Sequence, residues 1–263
     1  MSSYSSEEYV SRGRSLLDAG KAGEAVEVFD EGSRRFPGDE DLRMGAAMAR
    51  LRDGNAVGAL TIFEELAVSR PRSEEVLEGL VEAALAGGRP DRAREAAREA
   101  ARAAGRDARS VYRLGRAFYG RGLYAEALRY YELAAEAAPD WGEAWFGLGA
   151  CEWALRRPAA AEAALRRAVE LEPGDWQAKQ FLGCALCDMG RKAQAKEMLE
   201  SVPLDAPWQK PALERLVALA WWPTDPQRRR DLEALWRRVV GGAPVAARDL
   251  IEEASRRLER PPA

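Results

Sequence analysis

Residues 111–140 read VYRLGRAFYGRGLYAEALRYYELAAEAAPD, and residues 145–175 read WFGLGACEWALRRPAAAEAALRRAVELEPGD. The two stretches follow one pattern with a period of 34 residues, in which two segments with helical spacing of apolar residues are separated by a short turn. A helix-turn-helix unit of this length cannot bury its apolar face alone, so it must stack on further copies of itself. The sequence therefore predicts an all-α solenoid of tandem repeats.

The same period extends in both directions and gives six contiguous units without insertion, at residues 6–39, 40–73, 74–107, 108–141, 142–175 and 176–209. The twentieth place of every unit is alanine, which predicts that two helices cross closely there: Ala25, Ala59, Ala93, Ala127, Ala161 and Ala195. The eighth place is mostly small, and we expect it to face the same crossing: Gly13, Ala47, Val81, Gly115, Gly149 and Gly183.

The ends of the helices carry their own signals. The fifteenth place is glycine in five units, which predicts a left-handed residue after the first helix, at Gly20, Gly54, Gly88, Gly122 and Gly190. Arg156 stands at this place in the fifth unit. Asp39, Asp140 and Asp175 follow prolines at the ends of units, and we expect each to cap the next helix.

These residues resemble the tetratricopeptide repeat family, whose pattern combines an aromatic residue, Leu-Gly and a second aromatic residue with a later alanine, aromatic residue and proline. The residues that match in the fifth unit are Trp145, Leu148, Gly149, Ala161, Leu165, Ala168 and Pro173, and those in the fourth are Leu114, Gly115, Phe118, Ala127, Tyr131, Ala134 and Pro139. The resemblance covers residues 6–209 and implies a right-handed superhelix whose concave groove binds a segment of another protein.

Two parts of the chain depart from the pattern. In the third unit Ala97 stands where the neighbouring units have Phe63 and Tyr131, so we predict that this unit has a thin core and is the softest joint of the solenoid. From residue 210 the register decays into a degenerate seventh repeat, and an apolar stripe from Ala247 to Leu258 predicts a final capping helix. The predicted division is therefore residues 1–209 for the repeats and 210–263 for the degenerate repeat and cap.

The composition argues against several classes of protein. The chain has 40 basic and 43 acidic residues, which gives no electrostatic reason to expect nucleic acid as a partner. Histidine is absent, which removes the commonest general base and the usual imidazole metal ligand. We therefore expect a protein that is not an enzyme and has no cofactor or metal. Without a leader segment or a membrane-length apolar run, we also expect it in the cytoplasm and not inserted in a membrane.

Three cysteines occur, and two of them form a C-x-x-C pair at Cys184 and Cys187. Both lie in one predicted helix, and three cysteines cannot complete an all-thiolate, four-ligand zinc site. We interpret them as small packing residues or groove-wall residues. Incidental metal affinity or oxidation is the alternative.

The candidate binding residues lie at the fifth, ninth and twelfth places of the first helices, which helix geometry leaves outside the packing with the neighbouring helices. In the fourth unit these are Tyr112, Arg116 and Tyr119, and in the fifth unit they include Phe146 and Trp153. We predict that they form an exposed aromatic stripe. The alternative is that the rings pack against one another or against the C-terminal helices.

Charged residues on the same face give the predicted site a direction. Glu78 and Glu82 belong to the third unit, and Arg109 and Arg116 to the fourth. A bound segment should therefore carry basic residues near the third unit and acidic ones near the fourth. Trp221 and Trp222 are a further candidate, either buried in the cap or exposed as an aromatic binding corner.

From these features we predict a non-enzymatic adaptor that binds a peptide or helix of a partner protein in a concave groove. One alternative is a structural scaffold that self-assembles through its ends as a homo-oligomer. Another is an accessory or regulatory subunit of an enzyme or of a secretion or assembly complex.

Overall fold

The computed structural model describes residues 4–219 and 226–241, which form fourteen α-helices and no strand. The all-α class predicted from the periodicity is confirmed. The predicted capping helix in residues 244–263 and the pair Trp221 and Trp222 lie outside the described residues. The chain divides into two compact units, Met1–Ala137 and Ala138–Ala263, which are taken separately below.

Twelve of the helices form six consecutive hairpins, and the first helix of each hairpin begins at the first place of the 34-residue register. The hairpins are α1 (Ser6–Asp18) with α2 (Ala22–Arg35), α3 (Glu40–Arg52) with α4 (Ala56–Ser69), α5 (Glu74–Ala86) with α6 (Pro90–Ala104), α7 (Ala108–Tyr119) with α8 (Tyr124–Ala137), α9 (Gly142–Ala154) with α10 (Pro158–Leu171), and α11 (Trp176–Asp188) with α12 (Lys192–Glu200). Helices α13 (Lys210–Ala218) and α14 (Pro226–Val239) follow.

Five of the six first helices begin at a residue whose side chain caps the helix. Asp39 and Asp175 accept hydrogen bonds from backbone N–H groups of the first turns of α3 and α11, as predicted. Asp140 does not cap α9, so that prediction was wrong: the N-cap is Trp141, which makes no side-chain cap hydrogen bond. The reason is register, because Asp140 lies one place earlier in its repeat than Asp39 and Asp175 lie in theirs.

The turns inside the hairpins contain a left-handed residue at the fifteenth place, as predicted. Gly20, Gly54, Gly88, Gly122 and Gly190 have φ values of 74°, 86°, 68°, 72° and 75°. Arg156 adopts the same conformation, with φ of 62°, although its Cβ makes that conformation costly. The hairpin geometry therefore overrides the preference of this residue.

In the first compact unit, Met1–Ala137, the first helices of the hairpins form one layer and the second helices form another. Helices α1, α3 and α5 each pack on the next first helix, and each of α2, α4 and α6 packs on the first helix that follows it. Within residues 4–137 no comparable contact joins successive second helices. Because the first helices lie closer together, their layer is the inner side of the curvature of this unit.

The small residues of the register lie where the helices of a hairpin approach most closely. All six alanines at the twentieth place are 0% exposed. A methyl group added at Gly13 would overlap the ring of Phe29, and one at Gly115 would lie 2.8 Å from the ring of Tyr131. The eighth place therefore faces a large side chain of the partner helix, and a small residue there makes room for it.

The second compact unit has the same arrangement of first and second helices. It also has a hydrophobic core that α13 and α14 help to form. Leu213 and Leu216 of α13 are buried in one cluster with Leu232 and Trp236 of α14. Gln180, which is fully buried in α11, donates to the carbonyl oxygen of Pro207 at 3.1 Å and accepts from the backbone N–H of Gln209 at 2.7 Å. These bonds fix the segment that leads into α13.

Candidate protein-binding surfaces

The predicted stripe in the first unit lies on α5 and α7, within the layer of first helices. Glu82, Arg109 and Arg116 are exposed, whereas Glu78, Tyr112 and Tyr119 are half-buried. Three of the four charged residues therefore face water, and Glu78 is partly covered.

Tyr112 and Tyr119 pack against rings of α8. The ring of Tyr112 lies 5.1 Å from that of the buried Tyr131, and the ring of Tyr119 lies 5.2 Å from that of Tyr124 and 6.5 Å from that of Tyr131. The expectation of a freely exposed aromatic stripe is thus wrong for these two residues. A tyrosine side chain is long enough to reach the second helix from the edge of the first, and contact with another ring is more favourable than full exposure.

The charges near these rings are partly neutralised. Glu78 accepts from Nε of Arg113 at 2.9 Å, so this carboxylate already has a partner. Around Glu82 the surrounding helices restrict hydration and raise the pKa of its carboxyl, and repulsion from Glu78 acts in the same direction. Arg116, Arg52 and Arg121 partly oppose this rise in the pKa.

A second feature of this layer was not recognised from the sequence. Met44 and Met48 of α3 stand at the fifth and ninth places of their repeat, the places that Tyr112 and Arg116 occupy in theirs. They line a cavity of about 250 Å³ together with Leu17 of α1. The repeat register contained this signal, because the fifth and ninth places of the second repeat, residues 40–73, are both methionine.

In the second compact unit the predicted residues Phe146 and Trp153 are half-buried on α9. Both meet the ring of Phe181 of α11 edge to face, with ring centres 5.4 Å and 5.2 Å apart. The prediction of full exposure is therefore also wrong here, since the next first helix supplies an aromatic side chain between the two rings.

Trp153 also takes part in a polar network with two residues that sequence reasoning missed. Its indole N–H donates to the carboxylate of Asp188 at 2.9 Å, and Arg215 donates to the other oxygen of that carboxylate at 2.7 Å. The guanidinium of Arg215 lies 5.7 Å from the centre of the Trp153 ring, a cation–π distance. The network joins α9, α11 and α13 and holds Trp153 in one orientation.

The sequence pattern of the tetratricopeptide repeat matches residues 10–74, 79–141 and 152–220. The chain belongs to the tetratricopeptide repeat family. The matched ranges include Glu82 of α5, the α7 residues and the Trp153 network described above. The tetratricopeptide repeats of this protein thus supply a fold that serves protein–protein interaction.

Solved structures show the same fold at low sequence identity. A tetratricopeptide repeat protein from Parabacteroides merdae matches with a TM-score of 0.64 and 14% identity, over 95% of this chain and 98% of that chain. The Pseudomonas aeruginosa protein pilF matches with a TM-score of 0.60 and 17% identity, over 83% and 97%. The protein TTC0263 of Thermus thermophilus matches with a TM-score of 0.51 and 21% identity, over 70% and 100%. At these identities the likeness concerns the fold alone. No curated protein sequence matches the chain.

The cysteines of this tetratricopeptide repeat protein are free thiols in apolar surroundings. Burial raises the pKa of Cys151 and Cys184 to about 12 and that of Cys187 to about 11. At neutral pH these groups are therefore protonated, which makes them poor nucleophiles and poor metal ligands. Residues 4–219 and 226–241 contain no group of three or more His, Cys, Asp or Glu side chains that could hold a metal ion. No helix in these ranges is both long enough and apolar enough to span a membrane.

Proposed function

We propose that this tetratricopeptide repeat protein is a non-enzymatic adaptor that binds a segment of a partner protein on its layer of first helices. The observation that carries the proposal is the state of Tyr112 and Tyr119, which are half-buried and held by ring contacts with α8. A large ring that is fixed before binding loses little conformational entropy when a partner covers it. Such rings are typical anchors of protein interfaces.

The charges beside these rings favour a partner of defined polarity. Glu82 is exposed and has a raised pKa, so a cation of the partner would relieve its unfavourable surroundings. Arg109 and Arg116 are exposed on α7 and favour an acidic group. The partner segment we propose therefore carries an apolar or aromatic anchor with a basic residue near α5 and an acidic residue near α7.

In the second compact unit, Phe146 and Trp153 form the corresponding proposed surface. Trp153 is fixed by Asp188 and Arg215 and is half-buried. Tryptophan and arginine are both enriched among the residues that dominate binding energy. This surface is proposed for an aromatic or apolar side chain of a partner.

The test is capture of partners from the native host with the full-length chain, followed by mass spectrometry and a binding titration with the partner found. Tyr119→Ala should weaken that binding by about tenfold or more, because an interface anchor typically contributes at least ~2 kcal/mol. Tyr4→Ala is the matched control, since Tyr4 is 42% exposed and lies outside the stripe. If Tyr119→Ala stays folded by circular dichroism and binds as tightly as the control, the proposed surface on α7 is wrong.

The scaffold alternative predicts a different result in light scattering of the purified full-length chain. Helix α1 is the first helix of the stack, and its exposed residues include Glu7, Ser11, Arg14 and Asp18. A polar face of this kind does not favour stacking of a second copy on α1. Light scattering should therefore give a mass that does not change with concentration. A mass that rises with concentration would favour the scaffold over the adaptor.

For the location we propose the cytoplasm, where thiols such as Cys151 stay reduced.

A further inference from the structure

A cavity of about 270 Å³ lies between α6 and α8 in the first unit. These are second helices, so the cavity does not belong to the layer that carries Tyr112 and Tyr119. Its inner wall includes Phe118 and Tyr130, whose rings stack with centres 5.6 Å apart and planes inclined by 11°. The remaining lining residues are Arg94, Arg98, Ala125, Glu126 and Arg129.

The charges around the cavity do not balance. Nε of Arg94 donates to Glu126 at 2.9 Å, and its Nη1 donates to Asp91 at 2.6 Å. Arg98 and Arg129 have no ion pair or hydrogen bond with any residue in the described ranges. Two exposed guanidinium groups at the cavity therefore have no negative partner among the described residues.

The register of the repeats shows that this is unusual for Arg98. At the same place in other second helices, Asp30 is paired with Arg50 at 2.9 Å and Glu64 with Arg92 at 3.2 Å. Arg166 occupies this place in α10 and is paired with Glu162 at 2.7 Å. Glu200 of α12 is paired with Lys196 at 3.7 Å, whereas Glu132 of α8 has no ion pair among the described residues. Four of the other five repeats thus neutralise the charge at the place where Arg98 stays unpaired.

Tyr130 adds a polar group to the cavity. The residue is only 9% exposed, and its hydroxyl forms no hydrogen bond with any residue that the structure describes. The hydroxyl oxygen is not one of the fully buried polar atoms that lack a partner, so it remains accessible at the cavity and can donate a hydrogen bond to a bound group. Burial raises the pKa of Tyr130, and the positive charges of Arg129 and Arg98 act on its hydroxyl in the opposite direction. Arg98 and Arg129 line the same cavity as Tyr130.

We propose that Arg98, Arg129 and Tyr130 form a binding site for the carboxylate of an acidic side chain from a partner protein. All three can donate hydrogen bonds, while the one carboxylate in the wall, Glu126, is already paired with Arg94. The guanidinium group matches a carboxylate in shape and charge, and bonds of this kind are stronger than neutral ones.

Size and charge restrict what the site can hold. A drug-sized ligand typically needs a pocket of ~300–1,000 Å³, so a cavity of about 270 Å³ suits a single side chain. Arg98 and Arg129 attract phosphate as well as a carboxylate, so charge alone does not separate the two anions. The proposed occupant is a glutamate or aspartate side chain of a protein segment, and phosphate is the competing ligand in the test. The site is separate from the adaptor surface on α5 and α7 and goes beyond the proposed function.

The test uses the full-length chain labelled with ¹⁵N-arginine and an acetylated, amidated tetraglutamate peptide as the probe. Titration should move the side-chain Nε–Hε signals of Arg98 and Arg129 in a saturable manner, and the tetraglutamine peptide should not. Each of Arg98→Gln and Arg129→Gln should weaken the interaction by about tenfold, the effect of losing a charged hydrogen bond. Arg102→Gln, which removes the same charge from α6 at an exposed residue that does not line the cavity, should bind the peptide normally.

Tyr130→Phe separates binding from folding, because it keeps the ring and removes only the hydroxyl. This variant should stay as helical as the parent and bind tetraglutamate several-fold more weakly. The proposal is overturned if the peptide causes no saturable shift or if Arg98→Gln binds as well as Arg102→Gln. It is also overturned if inorganic phosphate binds the same arginines more tightly than the peptide. None of these results depends on the partner of the α7 surface, so the two proposals fail independently.

Discussion

At the scale of single residues, the hairpins depend on glycines that make room for buried rings. Phe29 is 0% exposed, and its ring fills the space beside Gly13 of α1 and Gly45 of α3. A methyl group at either glycine would overlap that ring. The ring also lines the cavity of about 250 Å³ beside Met44 and Met48, so a shift toward that space relieves only part of the overlap in an otherwise closely packed interior.

Gly45→Ala should therefore lower the free energy of unfolding by about 1–3 kcal/mol, the usual cost of overfilling a core. The result is informative because alanine has the higher helix propensity, by about 1 kcal/mol at an unhindered helix position. Gly23→Ala is the control, since an added methyl group there meets only an oxygen of Asp53 at 3.4 Å. Urea unfolding followed by circular dichroism measures both, and equal stability of the two variants would contradict the packing argument.

Glu82 gives a prediction that depends on pH. A carboxyl whose pKa is higher in the folded state than in the unfolded state favours folding when it is protonated, and this contribution is lost as the pH rises through the folded pKa. Glu82→Gln should therefore unfold at a higher urea concentration than the parent at pH 7. Below a pH of about 4, the ordinary range of a glutamate pKa, the difference should disappear. Glu78→Gln should change stability in the opposite direction at pH 7, because it breaks the pair with Arg113.

At the scale of helices, the network of Trp153, Asp188 and Arg215 joins three successive first helices. The side chain of Arg215 is only 11% exposed, so it depends on Asp188 for neutralisation. Asp188→Ala should lower the free energy of unfolding by about 1–3 kcal/mol, because it leaves a buried charge and the indole N–H of Trp153 without their acceptor. Glu200→Ala breaks a more exposed pair with Lys196 and should cost at most about 0.5 kcal/mol. If urea unfolding gives the same cost for both variants, the network does not stabilise the packing of α9, α11 and α13.

Helix α6 gives a second prediction at this scale. Its buried residues are all alanines, and Ala97 is 0% exposed where the neighbouring second helices bury Phe63 and Tyr131. Little apolar side-chain surface holds this helix in place, although alanine and arginine favour helix formation locally. Amide hydrogens of α6 should exchange faster than those of α4 and α8. Uniform protection across residues 74–141 would show that the third repeat is as stable as its neighbours.

The helices also show how far the sequence alone could lead. The 34-residue period predicted where the first helices begin, and the glycine place predicted the left-handed turns, because both follow from local geometry. The prediction that Asp140 caps α9 was wrong because Asp140 lies one place earlier in its repeat than the capping residues Asp39 and Asp175. The half-burial of Tyr119 depends on how far its ring reaches toward α8. The contact of Trp153 with Asp188 and Arg215 joins the twelfth, thirteenth and sixth places of three repeats, and no local pattern contains that relation.

At the scale of the whole molecule, the repeat helices within each compact unit pack mainly on helices next to them in the chain and on the next first helix of the same unit. Stability in such an array is a sum of local terms, so damage should spread only over neighbouring repeats. Phe29→Ala should cost about 3–5 kcal/mol and speed amide exchange in α1 to α3, while α7 and α8 keep their protection. The matched test in the second compact unit is Leu213→Ala, because Leu213 is 0% exposed. This variant should speed amide exchange in α11 and α13 more than in α9. Hydrogen exchange followed by mass spectrometry resolves these segments. A loss of protection from Phe29→Ala that is as large in α8 as in α1 would mean that the first unit opens as one block, and the additive description of its repeats would be wrong.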